Sequence, residues 1–307
     1  MEEFWIGRVQ ARQKLDFEQI PVMEAEVTLE NGVTGQAFVS GGILDSADEA
    51  VARVNEWIAP VLQGLDVRKQ GQIDDTMLKL CETVHQVHME MGEMMGVSIA
   101  AARAAAKGMG MPLYRYIAEK ETYRMPVPLM DLSDSTKSDT MKESGRKDLL
   151  LPVRAASFQE AVQMEQRVYD NLKLLSQKKR KTGVQDAVQN AGYAVGRDIV
   201  RITGSEEEIT TEYRTIKQIS LFETGTLTEV YAAIMLAQKT GYGVALSGWL
   251  GETAVADIAV AMEAEQVILG TPCSNYWSAV VNRLLWIEEQ MGKNACYENP
   301  FSVSFSI

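Results

Sequence analysis

Apolar and polar residues alternate along the start of the chain, in runs over residues 5–15, 22–29 and 34–39. Asn31-Gly32 separates the second run from the third. This dipeptide between alternating segments is the strongest short-range signal for a β-hairpin, because both residues tolerate the positive φ angles of a type I′ turn. The pattern predicts a three-stranded antiparallel meander.

Helical periodicity follows the predicted meander. Ser46 stands three residues before Glu49, which is the spacing of a capping box at the start of a helix. The periodic pattern returns from about residue 73 to residue 107 and ends at a glycine- and proline-containing cluster over 108–112. A meander followed by helices predicts an α+β domain that occupies residues 1–125.

The second half of the chain alternates short apolar strands with helical stretches, which is typical of a parallel sheet or a βα barrel. The predicted strands and helices are, in order, Val127–Leu132, Leu149–Val153, Ser157–Ser176, Thr228–Lys239, Val244–Leu246 and Val267–Leu269. Thr226 stands three residues before Glu229, which is again the spacing of a capping box. Residues 126–307 fall short of the roughly 250 residues that a closed eight-stranded barrel usually needs. An α/β barrel over 126–307 would therefore be short by two or more βα units, and the parallel sheet stays open as an alternative.

Charge and cysteine content exclude several classes of function. The chain has 307 residues, with 30 Lys and Arg against 42 Asp and Glu, and a formal net charge of −12. Nucleic acids and anionic membranes bind to positive surfaces, so neither is a predicted partner. Three distant cysteines without CxxC spacing, together with the lack of a signal-peptide pattern or an 18-residue apolar run, predict a cytoplasmic protein.

Two short motifs invite a functional interpretation, and a structural one is favoured for each. His85 and His88 lie on one face of a predicted helix, but further metal ligands would have to come from another face. The basic run over 177–181 precedes Gly183, where positive residues favour a helix C-terminus. No phosphate-binding glycine loop or Ser-His-Asp arrangement occurs, and no cofactor is predicted.

Several longer motifs are spread from one end of the chain to the other: Arg12–Asp16, Val97–Ala100, Pro112–Tyr116, Ala191–Tyr193, Gly225–Glu229, Gly251–Thr253 and Leu284–Glu289. Their residues and their order resemble the enolase, or phosphopyruvate hydratase, family. The resemblance implies an enolase-like N-terminal α+β domain over 1–125. It also implies a truncated enolase-like βα barrel over 126–307, in which the units around 204–215 are missing.

The family's chemistry depends on metal ions and a base. Its members remove a proton next to a carboxylate with a lysine, while two Mg²⁺ ions stabilise the dianionic intermediate. Two of the three acidic metal ligands would belong to the missing units, and the third falls on Gly204. The base lysine falls on Ser220 and the barrel lysine on Ile268. A loop serine that helps to hold metal falls on Ile43.

The other groups of the family's site are also replaced. The two catalytic glutamates fall on Lys147 and Ala187, and the two histidines fall on Ser138 and Gly248. The phosphate-clamping Arg-Ser pair falls on Trp249-Leu250. Because metal ligands, base, acids and phosphate clamp are lost together, the resemblance implies a pseudoenzyme without bound Mg²⁺.

A loss of catalysis leaves protein contacts as the leading function, either as a homodimer or paired with an active enolase-like chain. Enolases are dimers, and Arg12, Glu24 and Glu289 match three positions of their interface ion pairs. The fourth position is Trp286, which would leave Glu24 without its partner unless another cation approaches. This set is the predicted dimer interface.

Two other functions stay open. The first is an enzyme, either a phosphopyruvate hydratase or a lyase with an altered substrate that uses Lys147 and Asp186. The second is a metal-free binder of small molecules. The remnant-site positions to follow in the structure are therefore Lys147, Asp186, Ser220, Gly248 and Trp249.

The missing barrel units need a replacement. Residues 198–203 and 209–221 alternate well, and Gly204–Glu206 is a turn signal between them. This pattern predicts a β-hairpin or tight strand connection. The cut would expose strand edges and apolar faces. The large side chains predicted to cover them are Trp249, Leu250, Tyr276, Trp277 and Trp286.

Overall fold

The computed structural model describes residues 4–16, 19–40, 44, 46–83, 90–132, 147–177, 184–204, 208–210, 215–221, 223–249, 252–272 and 274–298. The chain divides into two compact units. The first unit comprises 1–119, 220–235 and 248–254, and the second comprises 120–219, 236–247 and 255–307. The predicted domain boundary at residue 125 stays a prediction.

The strands are β1 (Ile6–Leu15), β2 (Pro21–Leu29), β3 (Thr34–Val39), β4 (Tyr123–Arg124), β5 (Val127–Asp131), β6 (Lys147–Pro152), β7 (Ile199–Gly204), β8 (Glu208–Thr210), β9 (Thr215–Ser220), β10 (Gly243–Ser247), β11 (Gln266–Gly270) and β12 (Ala295–Cys296). The α-helices are α1 (Ala47–Arg53), α2 (Ala59–Leu62), α3 (Gln70–Thr83), α4 (Met91–Gly108), α5 (Leu113–Ile117), α6 (Phe158–Gln177), α7 (Val184–Asn190), α8 (Leu227–Lys239), α9 (Ala254–Ala261) and α10 (Asn275–Met291). A π-helical segment (Val54–Ile58) joins α1 to α2, and a 3₁₀ turn (Gly292–Asn294) follows α10.

The predicted meander is confirmed. Strands β1, β2 and β3 form an antiparallel sheet in that order, and Gly32 takes the positive φ of 84° that its turn requires. Helix α4 packs on this sheet at very short range. A Cβ atom on Gly35 would collide with the backbone of Ala100 and Ala104, so only glycine allows this approach.

The predicted helix starts are also confirmed. The Ser46 hydroxyl accepts a hydrogen bond from the Glu49 backbone N–H at 3.4 Å, which caps α1. The Thr226 hydroxyl likewise accepts from the Glu229 N–H at 3.4 Å at the start of α8. The periodic stretch predicted over 73–107 forms two helices, α3 and α4, on either side of residues outside the described ranges.

The strands of the second half form a closed barrel in the order β10-β11-β5-β6-β7-β8-β9. Strands β10, β11 and β5 pair in parallel, whereas each strand from β5 to β9 pairs antiparallel with the next. The prediction of a parallel sheet is therefore wrong for this part. The connections from β7 to β8 and from β8 to β9 have only three and four residues, which is too short for a crossover helix.

The predicted strand connection that replaces the missing barrel units is confirmed as an antiparallel meander. Gly204 of β7 pairs with Ile209 of β8, and Ile209 pairs with Ile216 of β9. Short antiparallel strands thus close the ring at the place where the resemblance implies that βα units are missing. None of the helices within the described ranges is long and apolar enough to cross a membrane.

Candidate functional site

The remnant-site position Lys147 and the predicted metal-ligand position Gly204 lie at one end of the barrel. Lys147 is the first residue of β6 and Gly204 is the last of β7. Because these strands are antiparallel, the two positions are directly opposite each other in the ladder. The side chain of Lys147 lies outside the described residues. Gly204 offers no side chain, so this strand end has no carboxylate from β7.

The interior of the barrel is a hydrophobic core. The buried residues that pack there share apolar side chains, and they are Val127, Leu129, Leu149, Leu151, Val153, Ile202, Ile209, Ile216, Ala245 and Ile268. Ile268, at the barrel-lysine position, is 4% exposed within this cluster. A charged side chain at this position would lose its hydration without a polar partner, which is costly.

Ser220 occupies the position of the base lysine. It ends β9 and is 1% exposed, and its hydroxyl has no hydrogen-bond partner within the described part of the chain. A serine hydroxyl becomes a nucleophile only beside a general base. Among the described residues, no such base is paired with Ser220.

The segment that follows β10 is anchored within the first unit. Gly248 is half-buried and Trp249 is buried. The indole N–H of Trp249 donates a hydrogen bond to the carbonyl of Phe38 in β3. The position of the phosphate-clamping arginine is therefore filled by a buried ring with its single donor already used.

An ion pair fixes the same segment three residues further on. Glu252 is fully buried and receives the Arg103 guanidinium of α4 through both carboxylate oxygens, at 2.9 and 2.5 Å. Arg103 also donates to the carbonyl of Gln36 at 2.8 Å. These charge-assisted bonds hold the segment against β3 and α4.

Asp186 lies on the exposed face of α7. The opposite face of that helix is buried through Val184, Ala187 and Val188, which pack on the outer side of the barrel strands. Ala187, the second catalytic-glutamate position, is thus a core residue.

The described residues do not fit the two-magnesium site that the resemblance implies. Mg²⁺ requires an octahedral set of oxygen ligands, usually with carboxylates. Gly204 and Ser220 supply no carboxylate at their strand ends, and within the described ranges no group of three or more His, Cys, Asp or Glu side chains is arranged to hold a metal ion. His85, His88, Ser138, Leu250 and Ile43 lie outside the described residues.

Three of the buried acids, Asp74, Glu93 and Glu165, have no place in the predicted site. Asp74 is fully buried and accepts hydrogen bonds from Ser98 at 2.7 Å, from Gln70 at 3.0 Å and from the backbone N–H of Thr228 at 3.0 Å. Burial raises the pKa of Asp74, and these hydrogen bonds oppose the increase. The network ties α3 and α4 to the start of α8 and has the character of a structural anchor.

Glu93 is also fully buried, in the first turn of α4. Arg53 donates to its carboxylate at 2.6 Å and to that of Glu90 at 2.8 Å. Burial raises the pKa of Glu93 to about 7, although the ion pair with Arg53 acts in the opposite direction.

Glu165 of α6 is the third buried acid, at 1% exposure. Burial raises its pKa well above the ordinary value, and only the backbone of Met130 favours the ionised form. The sequence did contain a signal for Glu165. It stands on the apolar stripe of α6, three residues before Val168 and four after Ala161.

The predicted interface residues have partners within their own units. Glu24 is buried and faces two cations of the same sheet, Arg12 with Nε at 3.2 Å and Lys14 with Nζ at 3.7 Å. Lys14 of β1 is thus the other cation that the prediction allowed for, and the dimer interface itself stays a prediction.

Trp286 and Glu289 lie on α10. Trp286 is 39% exposed, and the Arg283 guanidinium stacks on its ring at 4.5 Å. Arg283 is in turn held by two bonds to the buried Asp257. Glu289 is exposed. Of the predicted covering residues, Tyr276 is buried and donates to the carbonyl of Ile268 at 3.3 Å.

Comparison with known proteins gives two family matches. Residues 44–117 match the family model described as "Enolase, N-terminal domain", and residues 195–303 match that described as "Enolase, C-terminal TIM barrel domain". A similar protein is the enolase of Methanopyrus kandleri, which is 28% identical over 409 aligned positions that include 93% of this chain and 96% of that enolase. Because 93% of this chain is about 286 residues, about 30% of those positions have no residue of this chain.

Proposed function

The chain belongs to the enolase family, and from this premise we propose that it is a pseudoenzyme that does not dehydrate 2-phosphoglycerate and acts through protein contacts. The family's reaction needs electrostatic stabilisation of an intermediate with two negative charges, and such stabilisation usually contributes most to the rate enhancement of an enzyme. The proposal therefore depends on which groups remain at the reaction centre.

One observation carries the loss of catalysis. The positions that the resemblance assigns to a metal ligand, the base and the barrel lysine hold Gly204, a buried Ser220 and Ile268 of the hydrophobic core. None of these side chains supplies a carboxylate for a cation or a group that accepts a proton from carbon at neutral pH. Trp249 adds to this argument, because its ring fills the phosphate-clamp position and its indole N–H is already bonded to Phe38.

The proposal of protein contacts is supported by surface features that packing does not explain. Trp286 exposes a large indole whose orientation is fixed by stacking on Arg283. Tryptophan and arginine are the residues most often found at the energetic centres of interfaces. We propose a homodimer, or a pair with an active enolase, whose interface includes Trp286, Glu289 and Arg12, with the buried Glu24 holding Arg12 from within its own sheet.

The test is phosphoenolpyruvate formation from 2-phosphoglycerate with Mg²⁺, measured for the chain alone and mixed with an active enolase. We expect no turnover by the chain alone and a changed rate in the mixture. Turnover that survives repurification would refute the pseudoenzyme and favour a phosphopyruvate hydratase. If the chain alone shows no turnover and the rate of the active enolase does not change in the mixture, regulation of that enolase by pairing is refuted. The homodimer then remains.

A further inference from the structure

Arginines cluster on one side of the second unit, although the chain as a whole has a net charge of −12. Arg154 and Arg197 both pair with Asp198, each at 3.2 Å. Both arginine side chains are 63% exposed. Since two guanidinium groups share one carboxylate, this group keeps a positive charge at the surface.

A third arginine adds to this charge. Arg167 of α6 donates to the hydroxyl of Tyr193 at 3.1 Å, which is a neutral partner. Tyr193 begins the loop that carries Arg197 and Asp198. The loop is held in shape because the Ala194 N–H donates to Asp198 at 2.8 Å. We call Arg154, Arg167 and Arg197 the basic cluster.

The same loop borders a cavity of about 120 Å³. The residues that line it are mostly apolar, and they are Leu150, Val184, Gln185, Val188, Val195, Ile199 and Arg201. An apolar cavity of about 150 Å³ holds a benzene molecule, so this one has room for a branched aliphatic side chain. Val195 is 40% exposed at the cavity.

We propose that the basic cluster and the cavity together bind an acidic peptide segment of a partner protein. One aliphatic side chain of the segment occupies the cavity, and carboxylates on either side of it pair with Arg154 and Arg197. The biological meaning of this inference rests on the proposed function, because a protein that acts through contacts needs a surface for its partner.

The basic cluster, and not the lining of the cavity, favours a peptide over a small organic acid. Arg201 lines the cavity and could pair with a carboxylate of either ligand, whereas Arg154 and Arg197 do not line it. An occupant that reaches both the cavity and these arginines must therefore extend beyond the cavity, which a short-chain acid cannot do. The acidic character of the ligand follows from charge complementarity. Acidic groups opposite a positive cluster raise both the rate of association and the specificity of binding.

The experiment uses fluorescence anisotropy with the full chain and a labelled peptide, Glu-Glu-Leu-Glu-Glu. We expect saturable binding that is weakened about tenfold when serine replaces the leucine of the peptide, because burial of that side chain is lost. We expect a similar loss for the double variant R154Q/R197Q, and weaker binding as salt is raised.

Two further variants separate the parts of the surface. Val195→Phe fills the cavity from its exposed side. It should weaken binding of the leucine peptide and leave binding of the serine peptide unchanged. Arg8→Gln removes one positive charge from an exposed site in β1 and should leave binding unchanged. Thermal unfolding of each variant checks that the fold is kept.

Three outcomes would overturn the inference: no binding at millimolar peptide, equal binding of the leucine and serine peptides, or displacement by 3-methylbutanoate as effective as that by unlabelled peptide. The last would assign the cavity to a small carboxylic acid. None of them bears on turnover of 2-phosphoglycerate. Conversely, turnover by the chain alone would refute the proposed function while leaving peptide binding in place.

Discussion

At the scale of single residues, burial decides the chemistry of the acids more than their partners do. Glu93 makes an ion pair with Arg53, yet removal from water raises its pKa to about 7. The pKa of Asp74 is raised in the same way, although several neutral groups donate hydrogen bonds to its carboxylate. Asp198 is also buried, at 6% exposure, but two arginines and the Ala194 N–H bond to its carboxylate, and its pKa is lowered instead. Burial is therefore outweighed where several charged donors meet at one carboxylate.

Glu93 should make stability depend on pH. Its pKa is about 7 in the folded chain against 4.5 for an ordinary glutamate, so the folded state binds the proton more tightly. The stabilisation is complete below pH 4.5 and is lost as pH rises to and through 7. Urea unfolding between pH 4.5 and 8 should show this decrease, with a slope from Glu93 of at most about 1.4 kcal/mol per pH unit.

Matched variants isolate the contribution of Glu93 from that of other buried acids. Glu93→Gln should reduce the slope, because glutamine cannot ionise. Glu49→Gln changes an exposed carboxylate that contacts the same arginine at 3.2 Å and should leave the slope unchanged. A slope that is the same in wild type and in Glu93→Gln would show that Glu93 titrates normally.

At the scale of elements, long helices depend on groups supplied from distant parts of the chain. Helix α6 begins at Phe158, and its first two backbone N–H groups, of Phe158 and Gln159, donate to the carboxylate of Glu288 at 2.8 and 3.2 Å. Glu288 belongs to α10, 130 residues away. It satisfies donors that a helix start leaves unpaired and places a negative charge at the positive end of the helix dipole.

Removing this cap should destabilise the second unit. Glu288→Ala should lower the free energy of unfolding by about 1 kcal/mol, and Glu288→Gln by less, because an amide oxygen can still accept. Glu121→Ala removes an exposed acid from the same unit and serves as the control. Chemical denaturation of the three variants gives the comparison. Equal stability of Glu288→Ala and Glu121→Ala would mean that water replaces the cap at no cost.

Local signals in the sequence predicted the helices and strands. They did not predict which strands pair or which distant side chains bond to each other. The meander follows from alternation and Asn31-Gly32, and the helix starts follow from Ser46 and Thr226, because each depends on neighbours a few residues away. The antiparallel pairing of β5 with β6 could not be predicted, since alternation is the same for either strand direction. Two of the partners that hold Asp74 and Glu93 lie on other elements and far away in the sequence, Thr228 at 154 residues from Asp74 and Arg53 at 40 residues from Glu93.

The positions of the remnant site could be predicted for a different reason, namely the resemblance to a known family. Composition and periodicity alone could not locate it, because glycine, serine and isoleucine at strand ends carry no positive signal. The resemblance supplied the positions, and the register then placed Lys147 opposite Gly204. Physical reasoning adds what those residues can do there, as with Ile268 in the hydrophobic core.

At the scale of the whole molecule, the proposed homodimer makes a prediction about exposed tryptophans. Trp286 is 39% exposed and Trp57 is 38% exposed, so the two have similar solvent contact in the isolated chain. Of the two, only Trp286 stands at a position of the predicted interface. Trp286→Ala should therefore raise the dimer dissociation constant by at least about tenfold, while Trp57→Ala should leave it unchanged.

Sedimentation velocity over a range of protein concentrations measures this constant for both variants. Arg283→Lys refines the result, because lysine keeps the charge but loses the planar stacking and the two-bond contact with Asp257. If the fixed orientation of the indole matters, this variant should weaken the dimer without removing any apolar area of Trp286. A wild-type chain that stays monomeric at the highest concentration would remove the homodimer, and Trp286 would then have to serve a heteromeric contact. Equal effects of Trp57→Ala and Trp286→Ala would instead indicate that association is non-specific.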